Sequence, residues 1–155
     1  MNFQVSALSN QMFAHLYGKD SESLAEYGAQ RVIVDTKPGY PCRVSLVDAE
    51  IGEPVILLNY EHQPGASPYR SSHAIFVKDG AVQASPDTNE IPEFLRHRLL
   101  SVRAFDKSAM MVDADTCDGH ELENLINRML SDSSAEYLHI HNAKTGCYVA
   151  GVERT

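Results

Sequence analysis

Apolar and polar residues alternate through Tyr137–Asn142, so Leu138 and Ile140 point to one face of a strand while Tyr137, His139 and His141 point to the other. Ala143–Gly146 follows as a four-residue connection, with Gly146 able to take the positive φ that a hairpin loop needs. A loop of that length pairs Asn142 with Cys147, His141 with Tyr148 and Ile140 with Val149. The apolar side chains then share one face, the histidines share the other with Tyr148 and Ala150, and Cys147 is read as core.

A helical period replaces the alternation over 119–130. Leu122, Leu125, Ile126, Met129 and Leu130 form one apolar stripe, Asp118 stands at the cap, Glu121 completes a capping box, and Cys117 with Leu122 forms a hydrophobic staple. Such a helix packs on a sheet. Strands are expected at 31–35, 44–47, 55–58, 74–78 and 99–106, with 109–112 as the last one's partner; Val55–Leu58 is apolar throughout, as in mid-sheet. Short helices are expected at 9–17, between Ser9 and Gly18, at 21–27, between Asp20 and Gly28, and after Pro92. Residues 59–73 read as a loop fixed at Pro64 and Pro68. The sum is a single α+β domain over 1–155: a peripheral helical segment at 1–30, then a body of mainly antiparallel sheet at 31–155 with the 119–130 helix on one face.

Composition narrows the setting. A chain of 155 residues can bury a core of its own, and 43% hydrophobic with 22% charged residues is ordinary for a globular domain. The net charge of −8, from 21 acids against 13 bases, gives phosphate no clustered excess of Lys and Arg, which excludes a nucleic-acid surface. The longest aliphatic run, Val55–Leu58, falls far short of the ~20 residues that span a bilayer, and the N-terminus lacks a secretory pattern. Three cysteines without C-x-x-C spacing fit a reducing compartment, so the expected location is cytoplasmic, with at least one free thiol.

Candidate chemistry follows from side-chain type and spacing. His139 and His141, two apart on a strand, offer two imidazoles to zinc or another divalent metal, with a third ligand sought among His62, Cys42, Asp113 and Asp115. Cys42 is the candidate nucleophile, with His62 and His139 as its catalytic partners. Tyr69, Arg70, Arg103 and Asn142 are candidate binders of a small anionic ligand, and Arg70, Arg98 and Arg103 could converge with His62 on an oxyanion. Each has a plain alternative: sheet histidines bonded to neighbours, an inert buried cysteine, and arginines paired with the abundant acids. The segment Asp113–Gly119 misses calcium-loop spacing by one position, and no phosphate-binding glycine loop or nucleophile elbow is present. The expected function is a small enzyme or small-anion-binding protein with a His/Cys/Arg pocket. The competing expectation is a non-catalytic interaction module, and a homo-oligomer stays open.

The segments Tyr40–Arg43, Tyr60–His62, Ser67–Arg70, Met110–Asp115, Asp118-Gly119, His139–Asn142 and Gly146-Cys147 resemble, in that order, the pattern of the bacterial domain of unknown function 1203 family. The resemblance runs from about Tyr40 to the C-terminus and departs from the pattern at His73-Ala74. It implies a small, single-domain bacterial protein and brings no activity with it.

Overall fold

The structure is a computed structural model describing all of residues 1–155. Its strands are β1 (Phe3–Ser6), β2 (Gln30–Ile33), β3 (Pro54–Gln63), β4 (Ser71–Lys78), β5 (Leu99–Phe105), β6 (Met111–Asp118), β7 (Tyr137–Asn142) and β8 (Tyr148–Arg154). They form a five-stranded sheet in the order β1-β8-β7-β5-β6 and a three-stranded sheet β2-β3-β4, with every pairing antiparallel. The helices are α1 (Ser21–Ala25), α2 (Glu93–Arg96) and α3 (Leu122–Leu130). A 3-10 turn at Gly119–Glu121 leads into α3, so the chain is helical from Gly119 to Leu130, as its apolar stripe requires. The α+β reading holds, with β3 central in its sheet.

The stripe of α3 meets the even-numbered residues of β5 and β7. Leu122, Leu125, Ile126, Met129 and Leu130 join Leu100, Val102, Ala104, Leu138 and Ile140 in the main core. Each such large side chain removed from water contributes about 1.5–3 kcal/mol. Gly119 is where this layer presses on α2: a Cβ there would lie 2.0 Å from the Leu95 carbonyl oxygen, so only glycine fits. The other face of the large sheet meets the small sheet through Tyr148, which shares a second core with Ile75, Val77 and Cys42.

Several expectations are corrected. Residues 3–6 are not part of a peripheral helical segment; they form an edge strand paired with β8, with Phe3 and Val5 in the main core. The 9–17 helix is two 3-10 turns, Asn10–Met12 and Ala14–Leu16, broken at Phe13, which is buried along with Leu16. Most of 59–73 is strand, because β3 and β4 extend into it and leave a shorter loop. No capping box forms at α3: Asp118 accepts from the His120 backbone, and the Glu121 carboxylate takes the Asn124 amide. The β7–β8 register holds at His141↔Tyr148, but a bulge places Ile140 opposite Ala150. That extra residue lets Val149 and Ala150 both enter the main core while Tyr148 stays with the histidines.

The expected strand at 44–47 is a tight loop instead. Pro41 bridges Asp48, Cys42 N–H donates to the Val47 carbonyl and Leu46 N–H to the Cys42 carbonyl, with Leu46 at φ 54. A left-handed leucine is unfavourable by about 1–2 kcal/mol, and here its side chain is buried in the main core. This loop turns Arg43 inward, where it is 1% exposed.

Candidate functional site

The β7–β8 turn is closed by Gly146 N–H donating to Asn142 O at 2.8 Å and Asn142 N–H donating to Cys147 O at 2.9 Å. Gly146 sits at φ 81, where its lack of a Cβ is needed. So tight a turn brings its side chains onto one atom. The Sγ of Cys147 accepts from Asn142 Nδ2 at 3.3 Å and lies 3.0 Å from the Thr145 hydroxyl. From the 41–48 loop, Arg43 Nη2 donates to the same sulfur at 3.0 Å.

Arg43 is 1% exposed. Its Nε donates to Tyr148 O and its Nη1 to Pro41 O, both at 2.7 Å, and no carboxylate pairs with it. Burial, the main influence, lowers the guanidinium's proton affinity, while Cys147 acts in the opposite direction. The guanidinium stays charged at neutral pH all the same. At Cys147 burial is again the largest single influence and opposes ionisation. The charge of Arg43, with hydrogen bonds from Thr145, Asn142 and Arg43, outweighs it and holds the thiol below its ordinary value.

Beside this sulfur opens a cavity of about 500 Å³, a size that suits a small organic molecule. Arg43, Asn142, Lys144, Thr145 and Cys147 line it together with His73, His97 and Arg98, and Leu57, Ile75, Phe76 and Leu99 give it apolar walls. No Asp or Glu lines it. Arg98 is held by both oxygens of Asp48, which leaves Arg43 and Lys144 as lining cations with no carboxylate partner.

A second cluster lies on the β7–β8 face turned away from α3. The His62 ring packs 4.8 Å from His141 and 6.2 Å from His139, centroid to centroid, with Tyr148 against all three. Two tautomers follow from the partners. His141 Nδ1 faces Gly146 O at 2.9 Å and must donate to it, so its Nε2 carries the lone pair. The Ser71 hydroxyl donates to Tyr69 O, so His62 Nε2 donates to Ser71, leaving the lone pair on Nδ1. His62 Nδ1, His139 Nδ1 and His141 Nε2 are all buried without a partner. Burial foremost, then repulsion by His62 and Arg103, pushes His139 to about 4; burial foremost, opposed by the bond to Gly146 O and aided by Arg103 and the other two rings, pushes His141 to about 3. Burial and Arg103 lower His62 as well. All three rings are neutral at physiological pH.

The expected site residues are therefore divided. His62, His139 and His141 come together, but edge to face, and no three His, Cys, Asp or Glu side chains are arranged to hold a metal ion. Asp113 and Asp115 are taken by Arg128. Cys42 is fully buried, its sulfur accepts the Ser45 and Lys78 backbone N–H groups, and it bonds to neither His62 nor His139. The arginines do not converge: Arg70 pairs with Glu61, Arg98 with Asp48, and Arg103 stands beside the histidines with a 3.4 Å bond to Ser101. Tyr69 is partly exposed, edge-on to Phe105. Asn142 alone among the expected ligand binders reaches the cavity sulfur. Arg43, Lys144, Thr145 and the role of Cys147 were missed. The one local hint was Arg43 set among the mostly apolar residues 41–47; Lys144, Thr145 and Cys147 carried none.

No curated protein and no solved structure matches the chain. No helix is long and apolar enough to cross a membrane. The pattern of the family described as Protein of unknown function (DUF1203) matches residues 39–154, a span that holds both Arg43 with Cys147 and the three histidines, and the chain belongs to that family.

Proposed function

We propose that this protein binds a small anionic molecule in the cavity beside the β7–β8 turn and presents Cys147 to it as a thiolate nucleophile. The observation that carries the reading is a buried guanidinium, Arg43, whose only hydrogen-bonded partner able to carry a negative charge is the Cys147 sulfur at 3.0 Å. A thiolate, not a thiol, is the reactive form of cysteine. Lys144 and the cavity's freedom from carboxylates favour an anion in a chain that is otherwise acidic. A reducing cytoplasm would keep Cys42, Cys117 and Cys147 as the free thiols they are here.

Alkylation with iodoacetamide, followed across pH by mass spectrometry with peptide mapping, tests this. Cys147 should reach half its maximal rate at a pH well below the ~8.5 of an ordinary cysteine, and Thr145→Val should move that midpoint upward by removing one donor. A midpoint at or above ~8.5, or no reaction at Cys147 in the folded protein, would overturn the proposal. It would favour the non-catalytic interaction module, in which Cys147 is an ordinary buried thiol.

A further inference from the structure

We infer that the reaction at Cys147 is thiol–disulfide exchange with a small anionic disulfide; this rests on the nucleophile reading above and adds the chemical class of its partner. The groups around the sulfur are all donors. Arg43, Asn142 and Thr145 stabilise negative charge there, and none can take up a proton at neutral pH. No imidazole bonds to it: His141 is committed to Gly146 O, His73 Nδ1 faces Ala74 O, and His97 pairs with Glu93. Acyl transfer to or from an amine or alcohol needs a proton delivered to the leaving group, and this site has no acid–base residue at the reacting atom.

Disulfide exchange needs none. The Cys147 thiolate attacks one sulfur of R–S–S–R, the Cys147–S bond forms as the S–S bond breaks, and the electron pair leaves on RS⁻. Charge is conserved and no further oxidant is consumed. A second small thiolate reverses the step, releasing Cys147 as the same stabilised anion, which makes it a good leaving group.

The other two cysteines support a single-thiol mechanism. Cys42 is fully buried with its sulfur under two backbone N–H groups, and Cys117 packs against the main core; neither lines the cavity. The mixed disulfide therefore cannot close onto a neighbouring cysteine and waits for a small thiol from solution. Cavity size and walls agree. About 500 Å³ with Leu57, Ile75 and Phe76 along it is roomy for an inorganic peroxide and suits an organic disulfide, while Lys144 matches carboxylates on that ligand.

The test uses the full chain with glutathione disulfide as the anionic probe and cystamine as the cationic one, read by intact mass and peptide mapping at low salt. Glutathione disulfide should modify Cys147 about ten-fold faster than cystamine, Lys144→Glu should narrow or reverse that preference, and dithiothreitol should remove the adduct. Equal rates, a cystamine preference, or an adduct confined to Cys117 would overturn the inference. Parallel iodoacetamide alkylation near pH 6 separates the two levels. Fast alkylation without a disulfide preference refutes only the inference, whereas no alkylation refutes the nucleophile reading with it.

Discussion

Acidification should destabilise this protein well before its carboxylates titrate, because His139 and His141 are buried as neutral rings. Their folded values, about 4 and about 3, lie below the 6.5 of a free imidazole. Above 6.5 the rings are neutral in both states and stability does not depend on them. As pH falls below 6.5 the unfolded chain binds protons that the folded one refuses, so stability is lost with falling pH. Between about pH 7.5 and about pH 5, each ring should cost about 2 kcal/mol, or about 4 kcal/mol together, with His62 adding in the same direction. That is a large share of the roughly 5–15 kcal/mol that holds an ordinary domain. Carboxylates, with unfolded values near 4, contribute mainly below about pH 5, which keeps the window clean. The assay is urea unfolding followed by circular dichroism at matched ionic strength, with the slope checked for constancy. A His139→Gln, His141→Asn double variant should keep about half or less of the wild-type pH dependence, whatever its absolute stability. A wild-type urea midpoint unchanged between the two pH values would refute the buried-neutral assignment, as would a double variant with the full wild-type dependence.

Two further outcomes follow from packing and charge. Gly119→Ala places a methyl group 2.0 Å from the Leu95 carbonyl and 2.7 Å from Arg96 Cα; it should lower the melting temperature by about 6–12 °C, for a loss of about 3 kcal/mol, and a shift within ~2 °C would contradict the contact. Cys147→Ala and Arg43→Met should each destabilise, yet the double variant should lose less than their sum by more than about 1 kcal/mol, because each single change strands a buried partner; strict additivity in urea titrations would refute the ion pair.

What the sequence made legible was its periodic part. The α3 stripe, the alternation in β7 and the Asn142–Cys147 pairing are local, and each was read correctly because 3.6-residue and two-residue periods leave a direct mark on composition. The edge strand Phe3–Ser6 was not legible, since its partner β8 lies at the other end of the chain and four residues carry little pattern. The 41–48 loop misled for a different reason. Val44 and Val47 read as strand, but burying Arg43 against Pro41 O, Tyr148 O and Cys147 Sγ overrides that local preference. The bulge at Val149 has the same character, for an even register would send Ala150 to the histidine face and leave the core short of one side chain. Of the candidate site, side-chain types were visible but their partners were not: the arginine-bonded sulfur is that of Cys147, while Cys42 lies under two backbone N–H groups. Neither Arg43 nor Cys147 announces itself alone, and they lie about a hundred residues apart along the chain.

Whether Cys147 is thiol or thiolate is decided by magnitudes. Opposite charges about 3 Å apart attract by about 5 kcal/mol at an effective dielectric of about 20. Ionising an ordinary cysteine at neutral pH costs about 2 kcal/mol, so about 3 kcal/mol is left to offset the thiolate's lost hydration. Thr145 and Asn142 reduce that loss by supplying hydrogen bonds to a charged atom, about 1.5–3 kcal/mol each. The neutral alternative fares worse, because it leaves Arg43 as a buried cation that cannot shed its proton and has only two carbonyls to face. The balance favours the ionised pair, in the same direction as the lowered Cys147 thiol. A purely structural need for a counter-ion would be met with less difficulty by Asp or Glu, which ionise near pH 4 without assistance. Placing sulfur there, with a hydroxyl and an amide added and a cavity at its side, is an arrangement suited to chemistry at that atom.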